Sequence, residues 1–297
     1  MAAKLQAKHL KTYTGHQSAV YALCADSLGG FFSASGDGML VHWAAGKDDG
    51  HLVAKIPGNV FSLSYNSEQK LLLAGSGQGD LFVISDVFGP NPGVRRLLAH
   101  AKGLYRLLNT PDGLLSAGGD GRILRWNHQF EITAEINNSA TATRALCFDE
   151  TGNLWAGSSD FAIRLYDREC KPLKTLLGHT QSVFVICKLP GNRMLSGGRD
   201  ATLRIWSDEG ESQQTIAAHL LHIHALQVNP EKPWVASGSM DKTMKIWDAN
   251  SLELLKVIDK DKQPFHRSSL NTLLWLDESR ILSAGDDRRI VLTEITN

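Results

Sequence analysis

The sequence predicts an all-β fold built from seven copies of a four-stranded unit, on three observations. First, SASGDGMLVHW (33–43), SAGGDGRILRW (116–126), SGGRDATLRIW (196–206) and SGSMDKTMKIW (237–247) align without a gap. AGSGQGDLFVI (74–84), AGSSDFAIRLY (156–166) and SAGDDRRIVLT (283–293) are weaker copies. Second, their turn positions, Asp37, Gln78, Asp120, Asp160, Asp200, Asp241 and Asp287, recur at spacings of 41, 42, 40, 40, 41 and 46 residues, as in a repeat array. Third, no segment sustains a helical apolar period, whereas short alternating runs bounded by turn residues recur throughout, the pattern of strands. Four strands in about forty residues cannot bury both faces of their own sheet, so neighbouring units must stack.

Taken in order, the first alternating stretch is His9 to Tyr13, which Gly15-His16 turns into a second strand from Val20. VYALCAD, GGFFSAS, GMLVHWAA and HLVAKIPG then make the four strands of the first full period. A histidine opens most units: His16, His100, His179, His219 and His266 stand 20 to 22 residues before their turn aspartate. The aligned slots of the second and fourth units hold Ile56 and Ser139. Cys24, Cys147 and Cys187 share one repeat position, eight after that slot, and read as small apolar packing. The last unit supplies strands near 270–276, 280–285 and 289–295 but no fourth. Residues Lys8 to Tyr13 are the expected replacement. Paired with Ile290–Ile295, they would close the array and remove its open edges, making residues 1–297 one unit.

Hydrophobic residues make up 42% of the 297 and charged residues 21%, ordinary for a chain that buries a core. Lys+Arg and Asp+Glu both total 31, a balance that disfavours a general nucleic-acid binder. The opening Met-Ala-Ala-Lys-Leu-Gln has no leader pattern, and no apolar run approaches the ~18 residues of a membrane span. The four cysteines, Cys170 included, form no Cys-x-x-Cys pair. That spacing suits neither a zinc site nor a dense disulfide framework, and a reducing, cytoplasmic setting is expected.

The Gly-His, small-residue–Asp and terminal Trp-Asp pattern resembles the WD-repeat family of β-propellers. Gly178-His179 to Trp206-Ser207 and His219 to Trp247-Asp248 match it best, and the likeness runs along essentially the whole chain. The resemblance implies a seven-bladed β-propeller of four-stranded antiparallel blades around a channel, closed by the N-terminal strand completing the last blade. It also explains four sets of Ser, His and Asp that invite a hydrolase reading: His16/Ser33/Asp37, His100/Ser116/Asp120, His179/Ser196/Asp200 and His219/Ser237/Asp241. A catalytic triad is normally a single constellation. By the resemblance, each Asp holds its His, the His meets the Ser, and the Ser reaches the N–H of Trp43, Trp126, Trp206 or Trp247. Departures predict uneven blades. The second unit has Ile56, Ala74, Gln78 and Ile84 in those slots, the fourth has Ser139, Ala156, Asp160 and Tyr166, and the seventh ends at Thr293.

Other motifs are weak. Gly75-Ser-Gly77-Gln-Gly79 has no helix behind it to make a phosphate loop. His219, His222 and His224 form an HxxHxH cluster, but His219 belongs to the structural slot, so no metal site is expected. Arg288-Arg289 reads as a solvated turn. Binding positions come from the resemblance instead. In this family the residue five after the His slot lies at the channel entrance, here Tyr21, Phe61, Tyr105, Arg144, Phe184, His224 and Asn271. The residue before each turn acid faces the same surface, adding Arg199, Met240 and Asp286 to the candidates. Aromatic and Arg residues are frequent interface anchors, though the rings could equally fill the channel mouth. Phe61, Tyr105 and Phe184 could also cradle a cationic side chain. The expected function is a non-catalytic scaffold for a protein or peptide partner, with no cofactor. The alternatives are an enzyme with a pocket at the channel mouth, and a nucleic-acid-binding propeller using Arg144 and Arg199.

Overall fold

The alternating runs become 28 strands in the computed structural model, which describes residues 5–297. The first four residues of the expected 1–297 unit lie outside the described residues. No helix occurs among the described residues, and hence none able to cross a membrane. The strands form seven four-stranded antiparallel sheets. Blade one is typical: Val20–Ala25 innermost, then Phe31–Ser35, Met39–Trp43 and His51–Lys55 outermost. The other inner strands are Val60–Asn66, Leu104–Thr110, Thr143–Phe148, Val183–Leu189, Ile223–Val228 and Leu270–Trp275. Each packs on its neighbours, and Leu270–Trp275 returns to Val20–Ala25, so the blades close into a ring.

The last blade closes as expected. Its own strands are Leu270–Trp275, Arg280–Gly285 and Ile290–Thr296, and Gln6–Tyr13 is the outermost. Lys8 pairs with Glu294 and Tyr13 with Ile290, with one irregularity between His9 and Lys11. The core lies between blades rather than within them. One cluster joins Phe32, Leu40 and Val53 of blade one to Val60, Leu72 and Phe82 of blade two. Leu5 is sealed into another with Phe265, Trp275 and Ile295. Burying both sheet faces in this way is what a forty-residue unit cannot do alone.

Hydrogen-bonded staples tie the blades to their connecting loops. His179 Nδ1 lies 2.8 Å from Asp200, its Nε2 2.7 Å from Ser196 Oγ, and Trp206 Nε1 donates to that oxygen at 2.8 Å. The sets at Trp43, Trp126 and Trp247 repeat this arrangement. One proton arrangement satisfies every group. Indole N–H can only donate, so Ser Oγ–H donates to His Nε2 and His Nδ1–H donates to the carboxylate. The imidazole is therefore neutral. Burial agrees, since it outweighs the aspartate's pull and lowers the pKa of His16, His100 and His219.

The expected unevenness is present, with one addition. Blade two replaces the staple by apolar packing of Ile56, Ala74 and Ile84. Blade four builds a different one around Asn138, which the slot alignment passes over by one residue. Asn138 Nδ2 donates to Thr143 Oγ1 and Ser158 Oγ at 2.8 and 2.7 Å, and its Oδ1 accepts from Tyr166 OH at 2.9 Å. Ser139 bonds Asp160 beside it. In blade seven His266 keeps Asp287 and Ser283, while the buried Thr293 hydroxyl finds no partner. The residue after each turn position is left-handed in all seven blades. At Gly121 a Cβ would stand 1.9 Å from the Ser139 carbonyl, so glycine is required there. Phe161, Ala201, Lys242 and Arg288 carry the same positive φ, between 60° and 74°.

Candidate binding site at the channel mouth

A β-bulge creates the site. In every blade the register between the inner strand and its neighbour slips at the same place, such as between Val20 and Ala22 or between Leu104 and Arg106. The skipped residues are Tyr21, Phe61, Tyr105, Arg144, Phe184, His224 and Asn271. A bulged residue is left out of the ladder and its side chain is re-aimed. Here seven such side chains, each half-buried, line one shallow cup of about 370 Å³.

They touch one another around the mouth. Tyr21 meets Phe61 edge-on at 5.2 Å, and Phe61 stacks on Tyr105 at 5.6 Å. The Arg144 guanidinium lies 4.4 Å from the Tyr105 ring centre and 5.3 Å from that of Phe184. Phe184 meets His224 at 5.5 Å. His224 Nδ1 donates to the Leu270 carbonyl at 3.2 Å, and Asn271 donates to Val20 O at 3.2 Å, completing the circle. Two of the three rings, Tyr105 and Phe184, therefore do cradle a cationic side chain. Between Tyr105 and Phe184 the cation is the protein's own Arg144, held in addition by Ser159 Oγ at 2.9 Å.

Arg199, Met240 and Asp286 do not line the cup; they stand exposed on the adjoining turns. Asp286 accepts from Asn271 Nδ2 at 2.8 Å. Arg199 approaches His222, whose pKa is lowered by burial first and by this charge second. His224 is also held neutral, chiefly by burial. Because His219 is committed to Ser237 and Asp241, the HxxHxH stretch does not converge. Among the described residues no group of three His, Cys, Asp or Glu could hold a metal.

Two features were missed from sequence. Leu220 and Leu221 are exposed next to His222 and Met240, where other units carry polar pairs such as Gln17-Ser18 and Thr180-Gln181. Comparing the two residues after each His slot would have found them. The second is Arg106, directly after the rim residue Tyr105, which lines the channel below the cup.

The comparisons agree with this architecture. The family model for the WD domain, G-beta repeat, matches residues 7–44, 170–207 and 210–248. The WD40 β-propeller domain of Doa1 superposes with a TM-score of 0.85 over 97% of each chain, at 20% identity. The chain is a seven-bladed propeller that carries WD40 repeats in those three stretches. Among its relatives, the nuclear distribution protein PAC1 of Arthroderma otae is 32% identical over 103 residues, which is 31% of this chain and 22% of that protein. Protein tipD of Dictyostelium discoideum is 24% identical over 316 residues, covering 99% of this chain and 43% of tipD. The propeller thus spans less than half the length of either relative.

Proposed function

We propose that the propeller is a non-catalytic interaction scaffold whose seven blades act together to bind a peptide or protein segment at the channel mouth. One observation carries this reading: the bulges deliver a tyrosine- and phenylalanine-rich ring with one arginine to a single cup. Propellers of WD40 repeats generally serve as protein-interaction scaffolds, which supports it. Ring contacts of this kind bury large area at small entropic cost. The exposed Leu220, Leu221 and Met240 extend the apolar surface beside Phe184 and His222.

The test is binding to an array of random twelve-residue peptides by the wild type and by a Tyr105→Ala/Arg144→Ala/Phe184→Ala variant. These three side chains also support one another, so a milder Arg144→Met variant and melting midpoints for all proteins are needed. Loss of peptide binding in the triple variant, with a melt that still reports a folded ring, is the expected result. Equal binding by both proteins, or none by the wild type, would sink the reading.

A further inference from the structure

Arg106 departs from what its repeat position needs. One residue below the rim, the other six blades carry Ala22, Ser62, Ala145, Val185, Ala225 and Thr272, small neutral groups. Blade three places an arginine there, lining a cavity of about 150 Å³ beneath the cup. Its side chain is exposed to the water of the channel. It makes no side-chain hydrogen bond or ion pair among the described residues. Its electrostatic neighbours are the Cys147 and Cys187 thiols, which burial keeps protonated. Some arginines are tied down, such as Arg122 to Asp120 and Glu135, Arg164 to Asp160, and Arg193 to the carbonyls of Ala249 and Asn250. A guanidinium whose donors meet only water is free to take up an anion that enters the channel, and six blades show that the fold works without an arginine there.

We infer that Arg106 is an anion-binding residue, receiving the carboxylate of an acidic side chain or chain terminus from a segment seated on the rim. The inference rests on the peptide-binding reading above and sharpens it. The rim residues line this cavity together with Arg106, so an acidic side chain or a terminal carboxylate entering from the rim meets the guanidinium. Arg144 shares the lining, and its guanidinium makes a single hydrogen bond, from Nε, so its terminal nitrogens are available to the same anion. The acidic Asp286 lies across the ring and is already held by Asn271. A guanidinium offers paired N–H donors matched to a carboxylate.

The experiment follows the Nε–Hε resonance of Arg106 in full-length protein labelled with 15N-arginine, assigned by its loss in Arg106→Gln. Sodium acetate, inorganic phosphate and sodium chloride are the probes. Acetate should give a saturable shift that chloride does not, and the melting midpoint of Arg106→Gln should be no lower than that of the wild type. Among array peptides, replacing a single Glu by Gln should weaken wild-type binding about tenfold and leave binding to Arg106→Gln unchanged. No acetate response beyond that of chloride, or a lower melting midpoint for Arg106→Gln, overturns the inference. Phosphate binding more tightly than acetate overturns the carboxylate assignment. If acetate binds at Arg106 while no peptide binds the rim, the anion site stands and the peptide reading falls; peptide binding indifferent to Glu and acetate gives the reverse.

Discussion

Asp200→Ala tests whether the repeated His–Ser–Asp sets are structural. Asp200 accepts from His179 Nδ1 at 2.8 Å, Thr180 N at 3.1 Å, Thr202 N at 3.2 Å and Thr202 Oγ1 at 2.9 Å. Thr180 is exposed, so water can replace the carboxylate there at little cost. The His179 side chain is fully buried, and stranding its Nδ1–H costs about 1–3 kcal/mol. At roughly 2.1 cal/mol/K per residue, a chain of 297 residues unfolds with an entropy near 0.6 kcal/mol/K. A loss of about 2 kcal/mol therefore lowers the melting midpoint by about 3 °C. The assay is a calorimetric melt at pH 7.5, with Gln78→Ala as control. Gln78 occupies the same turn position in blade two, which has no staple, is exposed, and its truncation should cost under about 0.5 kcal/mol. A midpoint for Asp200→Ala within about 1 °C of wild type, or equal costs for the two variants, would refute the reasoning.

Two further outcomes follow from the same contacts. Deleting residues 1–13 removes the outer strand of the last blade and should destabilise the whole ring; a deletion variant that melts with the parent would refute closure by that strand. Acidification should destabilise the protein in two stages. Burial sets the folded-state pKa of His16, His100 and His219 below the usual 6.5, so the unfolded chain binds more protons below that pH and stability falls as pH drops through it. Burial alone would raise the pKa of Asp120 and Asp200, but hydrogen bonds from His100, His179 and backbone N–H groups overcome it and bring both to about 2. Their contribution is present above the ordinary 3.8 and is lost between there and about pH 2. Urea midpoints at pH 7.5, 5.5 and 3.5 check both stages, and a flat profile contradicts them.

The ring was legible because its units repeat: one turn position every forty residues locates strands, blades and staples together. Asn138 was not, because it performs the histidine's task from one residue earlier and with different partners. The rim positions could be placed by alignment, but not the bulge that presents them, since a register slip leaves no mark in a single strand's sequence. Nor could spacing foretell that Arg144 would fill the gap between Tyr105 and Phe184, because that contact joins three different blades. Arg106 was hidden for the opposite reason. A lone arginine in an alternating strand looks like any solvated residue until the other six blades show what that position ordinarily holds.

The pairing of Gln6–Tyr13 with Ile290–Thr296 also imposes an order on assembly. Blades one to six are each made of contiguous chain, so their hairpins can form as translation proceeds, by contacts of short sequence separation. The strand at residues 6–13 must wait without its edge partner until residues 290–296 have been made. It is therefore the part of the chain most open to mispairing with another molecule during synthesis. Lys8 and Lys11 on this otherwise alternating strand put charge where such pairing would begin, and charged edge residues are a recognised defence against it. The last contact to form is the one that makes the propeller a closed object.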